Sequence, residues 1–306
     1  MKFWFIFPVA LLITSAVAQT DSAPSIKVEV KLVNVFVTVA DSVGNPVPTL
    51  KQDNFQLFED GVPQKIAVFA RQTDVPLSII VAVDTSLSTR KDLPFELQSA
   101  KRFAHDILDP KKQDALALYQ FSTIVQQVVP FTANLREIDH GIDDVTVGAA
   151  TSLYDAIYDA ADGLAARQGR KLMVVITDGG DNGSNVSYAD ALREAQQAEA
   201  VIVPIIIVPI ESSAGRNTGG EHALIQLAHD TGGKAYYADS GPQLDEVFHQ
   251  IATDLATQYL LAYYPSQRIA DSDFRRIQIE LTPSAATNAS SLNLRYRTGY
   301  YTSPSK

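Results

Sequence analysis

Apolar residues recur along the chain with three successive patterns. From Ile26 to Phe69 the period is two: Val28, Val30, Leu32, Val33, Val35, Val37 and Val39 mark a long β-rich run. The cluster Asp41-Ser42-Val43-Gly44-Asn45-Pro46 predicts a turn, Phe55–Glu59 a second strand, Asp60-Gly61 a hairpin-type turn and Gln64–Phe69 a third strand. From Leu77 the pattern changes. Leu77-Ser78-Ile79-Ile80-Val81-Ala82-Val83 is an apolar run broken only by Ser78, as in a strand buried on both faces. Phe95, Ala100, Phe103, Ala104, Ile107 and Leu108 then follow at helical spacing up to Asp109-Pro110. Strands are expected at Asp114–Phe121, Ile124–Phe131, Lys171–Thr177, Val201–Ile210 and Lys234–Ala238. Helices are expected on the stripe Leu153–Leu164, at Tyr188–Ala200, at Ala223–His229 and on the stripe Leu244–Leu255. From Tyr259 the pattern is β again, with strands at Tyr259–Tyr264, Phe274–Thr282 and Leu292–Tyr301 around a polar loop at 283–291.

Strand–helix alternation over the middle of the chain implies a doubly wound α/β domain: a mostly parallel sheet with helices on both faces. Each β flank is too small to bury a core alone. The expected architecture is therefore an α/β domain inserted into a β-sandwich that the N- and C-terminal flanks form together. The boundaries read from the pattern are 19–74 for the first flank, 75–258 for the α/β domain and 259–306 for the second flank.

The first residues change this picture at one end. Lys2 precedes an apolar run from Phe3 to Val17, and Ala16-Val17-Ala18 is a small-x-small pattern. This reads as a secretory signal peptide, residues 1–18, cut after Ala18, and places the protein outside the cytoplasm, secreted or in the cell envelope. No later segment is apolar for 18 residues without interruption.

Composition narrows the function. Asp plus Glu is 35 against 25 Lys plus Arg, a net charge of −10, which argues against a nucleic-acid binder. With no cysteine, disulfide scaffolds, thiolate metal sites and cysteine nucleophiles are excluded. The five histidines show no metal-ligand spacing, and no nucleophile-elbow or P-loop motif occurs.

One constellation carries chemistry. Asp84-Thr85-Ser86-Leu87-Ser88 ends the first buried strand, Thr151-Ser152 opens a helix, and Thr177-Asp178-Gly179-Gly180-Asp181 ends another buried strand. In a doubly wound sheet such loops gather around one crevice at the carboxyl ends of the strands. Asp84, Ser86, Ser88, Thr151 and Asp178 would then converge as hard oxygen donors suited to Mg²⁺ or Mn²⁺. Taken singly, each of the five also fits a helix-capping role. Asp181 reads as a supporting or turn residue.

With these residues in order, the chain from about Val75 to Gln258 resembles the von Willebrand factor type A (VWA) domain and its metal-ion-dependent adhesion site (MIDAS). Thr151-Ser152-Leu153-Tyr154-Asp155-Ala156-Ile157 and Leu227-Ala228-His229-Asp230-Thr231-Gly232-Gly233 support the likeness. The resemblance implies that Ser86, Ser88 and Thr151 contact the metal directly or through water, and that Asp84 and Asp178 act partly through bridging waters. Ala149-Ala150 stands where the family has Gly-Gly. The flanks, through Val37–Asp41, Phe55–Gly61 and Arg297–Tyr301, resemble a bacterial secreted subfamily. With two carboxylates and neutral hydroxyls, a bound ion would keep a position open for an acidic side chain of a partner protein. The expected function is a non-enzymatic, divalent-metal-dependent protein-binding module for adhesion or complex assembly. The alternatives are a structural envelope protein with a vestigial metal site and a metal-dependent hydrolase. An aspartyl phosphatase would want an Asp where Ser86 stands.

Overall fold

A computed structural model describes residues 32–71, 75–208, 217–266, 274–282 and 292–302. The expected signal peptide, the positions Val28 and Val30 of the first run and the polar loop 283–291 lie outside these residues.

The chain order is β1 (Val33–Ala40), β2 (Phe55–Glu59), β3 (Val62–Gln64), β4 (Ile66–Arg71), β5 (Leu77–Asp84), α1 (Leu93–Ile107), β6 (Ala115–Phe121), β7 (Val125–Thr132), α2 (Leu135–Asp143), α3 (Leu153–Ala165) and β8 (Arg170–Thr177). It continues with α4 (Tyr188–Gln197), β9 (Val201–Ile207), α5 (Thr218–Thr231), β10 (Tyr236–Ala238), α6 (Gly241–Ala256), β11 (Tyr259–Tyr263), β12 (Phe274–Leu281), β13 (Asn293–Arg295) and β14 (Gly299–Tyr301).

The central sheet has the order β10-β9-β8-β5-β6-β7, parallel except for β7 at one edge. Period-two alternation inside a two-sided strand explains why β5 is apolar at Leu77 and from Ile79 to Val83. Ile79, Val81 and Val83 pack beneath α1, α2 and α6, whereas Ile80 and Ala82 pack beneath α3, α4 and α5. On the first face Phe103 of α1 stacks on Phe248 of α6, with ring centroids 4.4 Å apart. The strand order reverses between β5 and β8, so a crevice opens at the carboxyl ends of these two strands.

The flanks mix. One four-stranded sheet has the order β13-β1-β11-β4 and the other β14-β12-β2-β3, each drawing strands from both ends of the chain. Val35, Leu57, Tyr259, Leu261, Ile277 and Ile279 share the core between them. The α/β domain enters after β4 and leaves into β11, and these two strands are antiparallel neighbours with Tyr259 opposite Arg71.

Four details differ from the sequence expectation. The third strand is two, β3 and β4, because the chain crosses from one sheet to the other at Lys65. The run Leu292–Tyr301 also divides: β13 pairs with β1, β14 with β12, and the break at Tyr296–Thr298 is held by Arg297 Nη2 on the Asn34 carbonyl at 2.6 Å. The helix expected at Ala223–His229 is longer, since Asn217 caps it by accepting from Gly220 N at 3.0 Å. Helix α2 was not expected at all. Its only fully buried large residues are Ile138 and Ile142, too short a stripe to stand out.

Candidate metal centre

The site residues lie on three loops that follow β5, precede α3 and follow β8. Asp84 closes β5 and is fully buried. Its Oδ1 accepts from Ser86 N at 2.9 Å, an Asx-type turn that folds the Asp84–Ser88 loop back over the strand end. Its Oδ2 accepts from Thr177 Oγ1 at 2.7 Å, which ties β5 to β8. Thr89 donates its hydroxyl to the Asp84 carbonyl at 2.8 Å and lies 3.1 Å from that of Ser86. The Ser86 and Ser88 hydroxyls are thereby set side by side, 3.0 Å apart, with Ser86 buried and Ser88 exposed.

Thr151 is buried just ahead of α3. Its N–H donates to Asn182 Oδ1 at 2.9 Å, and its carbonyl accepts from the N–H groups of Asn182 and Gly183, both at 3.0 Å. The loop after β8 is therefore stapled to the loop before α3. Gly148 N donates to the Thr85 carbonyl at 2.8 Å and Thr85 N to the Phe121 carbonyl at 2.8 Å, which joins the first and second loops. Asp178, half-buried, follows β8, and its Oδ1 accepts from Gly180 N at 3.2 Å. Its charge acts on Asp84.

None of the five residues caps a helix. The first turn of α3 is satisfied from across the crevice: Asp181 Oδ1 accepts from Leu153 N at 2.8 Å, and Ser184 Oγ from Tyr154 N at 3.0 Å and Asp155 N at 3.2 Å. Asp181 is thus a supporting residue of the loop. The Ala149-Ala150 departure is accommodated, because neither residue takes a left-handed backbone conformation.

Burial pushes the Asp84 carboxyl up to about 6, against the hydrogen bonds from Ser86 and Thr177 that favour its charge. Among the described residues, no three carboxylate or histidine side chains gather so as to hold a metal by themselves. An ion here needs the hydroxyls. The donor set fits one: all the groups offered are oxygens, the anionic pair is partly desolvated, and Ser86, Ser88 and Thr151 complete it with neutral ligands. No histidine belongs to the site; His105 pairs with Asp139 at 3.1 Å and His229 with Asp230 at 3.0 Å on the surface.

Three supporting residues were missed in the sequence. Thr177 and Asn182 neighbour Asp178 and Asp181, and only the fold shows what they grip. The third, Glu96, had a signal: it lies four residues before Ala100 and seven before Phe103, in phase with the buried stripe of α1. It is 0% exposed, and among the described residues neither carboxylate oxygen has a hydrogen-bond partner. Leaving a carboxylate buried without compensation costs on the order of 3–5 kcal/mol. The dipole at the start of α1 returns at most about 2 kcal/mol of that.

Residues 79–181 match the family model of the von Willebrand factor type A domain. No curated protein sequence matches the chain. Among solved structures, a von Willebrand factor type A protein from Catenulispora acidiphila is similar at TM-score 0.51 and 10% identity, over 88% of this chain and 74% of that one. Proximal thread matrix protein 1 from the mussel byssus, solved with a zinc-occupied MIDAS motif, is similar at TM-score 0.52 and 16% identity. That match covers 65% of this chain and 50% of the mussel chain. At these identities the likeness is one of fold.

Proposed function

We propose that this chain, whose residues 79–181 match the von Willebrand factor type A family model, is a divalent-cation-dependent protein-binding module that works outside the cytoplasm in adhesion or complex assembly. The observation that supports the reading is the hydrogen bonding that ties together, at the β5–β8 crevice, the three loops that carry Asp84, Ser86, Ser88, Thr151 and Asp178. The ion would be Mg²⁺ or Mn²⁺, held by these five residues. When bound, it supplies an open coordination position to a carboxylate from a partner.

The same three-loop rim offers apolar contact. Leu87 is 60% exposed beside Ser86 and Ser88, Ile124 is 70% exposed at the β6–β7 turn, and Val147 is 43% exposed next to Gly148. The β6–β7 turn belongs to this rim, because Ser152 N donates to the Ser122 carbonyl and Ala150 N to Thr123 Oγ1. Large apolar side chains left in water around a charged centre favour a protein ligand over a small solute. A partner acid flanked by bulky apolar residues fits this rim. The acidic partner residue is also the one that a chain of net charge −10 would otherwise repel, so the cation makes the encounter conditional.

A hydrolytic reading is disfavoured because no histidine joins the site and both oxygens of Asp84, its buried carboxylate, are already engaged by Ser86 N and Thr177 Oγ1. No helix among the described residues is long and apolar enough to cross a membrane. The extracytoplasmic placement rests on the signal-peptide pattern at residues 1–18.

The test is calorimetric titration of the chain with Mg²⁺ and Mn²⁺, beside Asp84→Ala and Thr151→Ala, followed by capture of partners from envelope extracts in Mg²⁺ and in chelator. Binding heat and Mg²⁺-dependent capture, both lost in the variants, support the reading. A wild-type chain that gives no heat and no thermal stabilisation is a structural protein with a vestigial site.

A further inference from the structure

At the amino ends of the central strands, opposite the β5–β8 crevice, lies a cavity of about 40 Å³. Leu77 and Arg170, the first residues of β5 and β8, line it from the sheet. Asp254 and Leu255 line it from the last turn of α6, and Phe36 of β1 and Arg295 of β13 from the sandwich. Lys234, just ahead of β10, adds a third cation to Arg170 and Arg295. Lys171 also borders the cavity, but its ammonium donates to the Ala165 and Ala198 carbonyls.

The three cations are not balanced from within. Among the described residues Asp254 is the one acid in the lining, and its Oδ2 already accepts from Arg295 Nη2 and from the Tyr236 hydroxyl, the latter at 3.0 Å. Arg170 is 7% exposed. Its Nη1 donates to the Leu255 carbonyl at 2.7 Å, which caps the end of α6, yet its Nε has no partner among the described residues. Asp114, whose charge acts on Arg170, spends its oxygens on Leu77 N at 2.8 Å and Asp109 N at 3.2 Å. The Lys234 ammonium stands 4.6 Å from the centroid of the Tyr236 ring. Partial desolvation, with Arg295 alongside, pushes it below its ordinary range. A buried guanidinium nitrogen without a partner is rare in native proteins and calls for an unseen water or anion.

We propose that this cavity is a binding site for a small aliphatic carboxylate, held between Arg170, Lys234 and Arg295. Size, walls and charge agree on that class. The volume holds about three water-sized groups, which suits a carboxylate with one or two carbons behind it. Phe36, Leu77, Leu172, Val203 and Ile251 make much of the wall apolar, so the oxygens of a phosphate or sulfate would face side chains that cannot bond them. A planar guanidinium matches a carboxylate in shape as well as charge. The local excess of positive charge sits in a chain of net charge −10, so it is a feature of this cavity and not of the surface at large. A bound anion would link Arg170 of the α/β domain to Arg295 of the sandwich and so brace the join between them. The site is separate from the metal centre and needs no cation.

The experiment follows melting temperature and calorimetric heat of the whole, metal-stripped chain on addition of sodium acetate or sodium propionate, with sodium chloride holding the ionic strength constant. Both salts should raise the melting temperature along a saturable curve. Arg170→Met should lose at least about tenfold in affinity. It also loses the Leu255 bond and with it some stability, so Lys234→Gln, on a residue exposed overall, is the second variant, and it should fold like wild type and bind several-fold more weakly. Asp84→Ala should bind the carboxylates as wild type does. No saturable effect of either salt leaves only water in the cavity and overturns the proposal. Equal stabilisation by chloride or phosphate overturns it too, since the cations would then be an unselective patch. Binding that appears only with Mg²⁺, or that disappears in Asp84→Ala, would place the ligand on the metal centre and overturn it as well. A failure here leaves the cation reading untouched, because no metal is present in the measurement.

Discussion

Thr177 donates its hydroxyl to Asp84 Oδ2 at 2.7 Å, across the pair of central strands where the sheet changes direction. The bond fixes one oxygen of a buried carboxylate, and Ser86 N fixes the other. The Thr177 hydroxyl also accepts from Gly179 N at 3.1 Å, so one side chain sets both the acid on β5 and the loop that carries Asp178. Thr177→Val keeps the shape and removes both contacts. It should cost about 1–3 kcal/mol of stability and weaken Mg²⁺ binding several-fold. Denaturant titration and calorimetry check the two effects, and a variant as stable as wild type would show that the Thr177 bond holds nothing.

Asp84 also makes the cation-free chain sensitive to pH. Its folded-state value of about 6 lies above its ordinary 3.8. Between these values the folded chain holds the proton more tightly than the unfolded chain, so this contribution to stability is present at low pH and is lost as pH rises through about 6. In chelator, wild type should lose about 2–3 kcal/mol relative to Asp84→Asn between pH 4 and pH 7. Saturating Mg²⁺ should shrink the difference. Denaturant titrations at several pH values read it directly, and parallel profiles for the two proteins would refute it.

The sandwich has its own buried acid, remote from the crevice. Glu59 Oε2 accepts from the Tyr263 hydroxyl at 2.6 Å and from the Tyr300 hydroxyl at 2.9 Å. The three residues come from β2, β11 and β14, and thus from both flanks and both sheets. Burial, with the Glu59 carboxylate alongside, pushes both tyrosine hydroxyls well above their ordinary range. Glu59→Ala would leave two buried hydroxyls unpaired and open a cavity, at a cost of about 3 kcal/mol or more. If the cluster is structural, Mg²⁺ affinity measured below the melting transition should not change.

Leu87 and Ile124 are the rim's test of partner contact. Leu87→Ser and Ile124→Ser remove apolar area that is already in water, so stability should stay within about 0.5 kcal/mol of wild type. Mg²⁺ heat should be unchanged and Mg²⁺-dependent capture reduced. Undiminished capture in the double variant would place the partner elsewhere.

Much of this architecture is legible in the residues. Leu77–Val83 announces a two-sided strand because every position but Ser78 is apolar, and Ala160, Ala161 and Leu164 keep α3 in phase with its sheet. The residues proposed as donors are legible because all lie at strand or helix ends. What is hidden depends on partners distant in sequence. Nothing around Lys65 marks the crossing between sheets, since both halves carry strand-forming residues. Nothing in Asn182 announces its grip on Thr151, 31 positions away. Glu96 is polar at a core position, and that conflict with the helical stripe is visible before any fold is known.

The α/β domain is joined to the sandwich through β4 and β11, whose junction ends lie side by side at the Arg71–Tyr259 pair. If a captured partner pulls on the rim, the load passes down through both connections at once and reaches β11 along its length. There β11 is laced to β1 by five residue pairs, from Val33–Tyr263 to Val37–Tyr259. A pull between the rim and the start of β1 would load these pairs in shear, all together, instead of unzipping them one pair at a time.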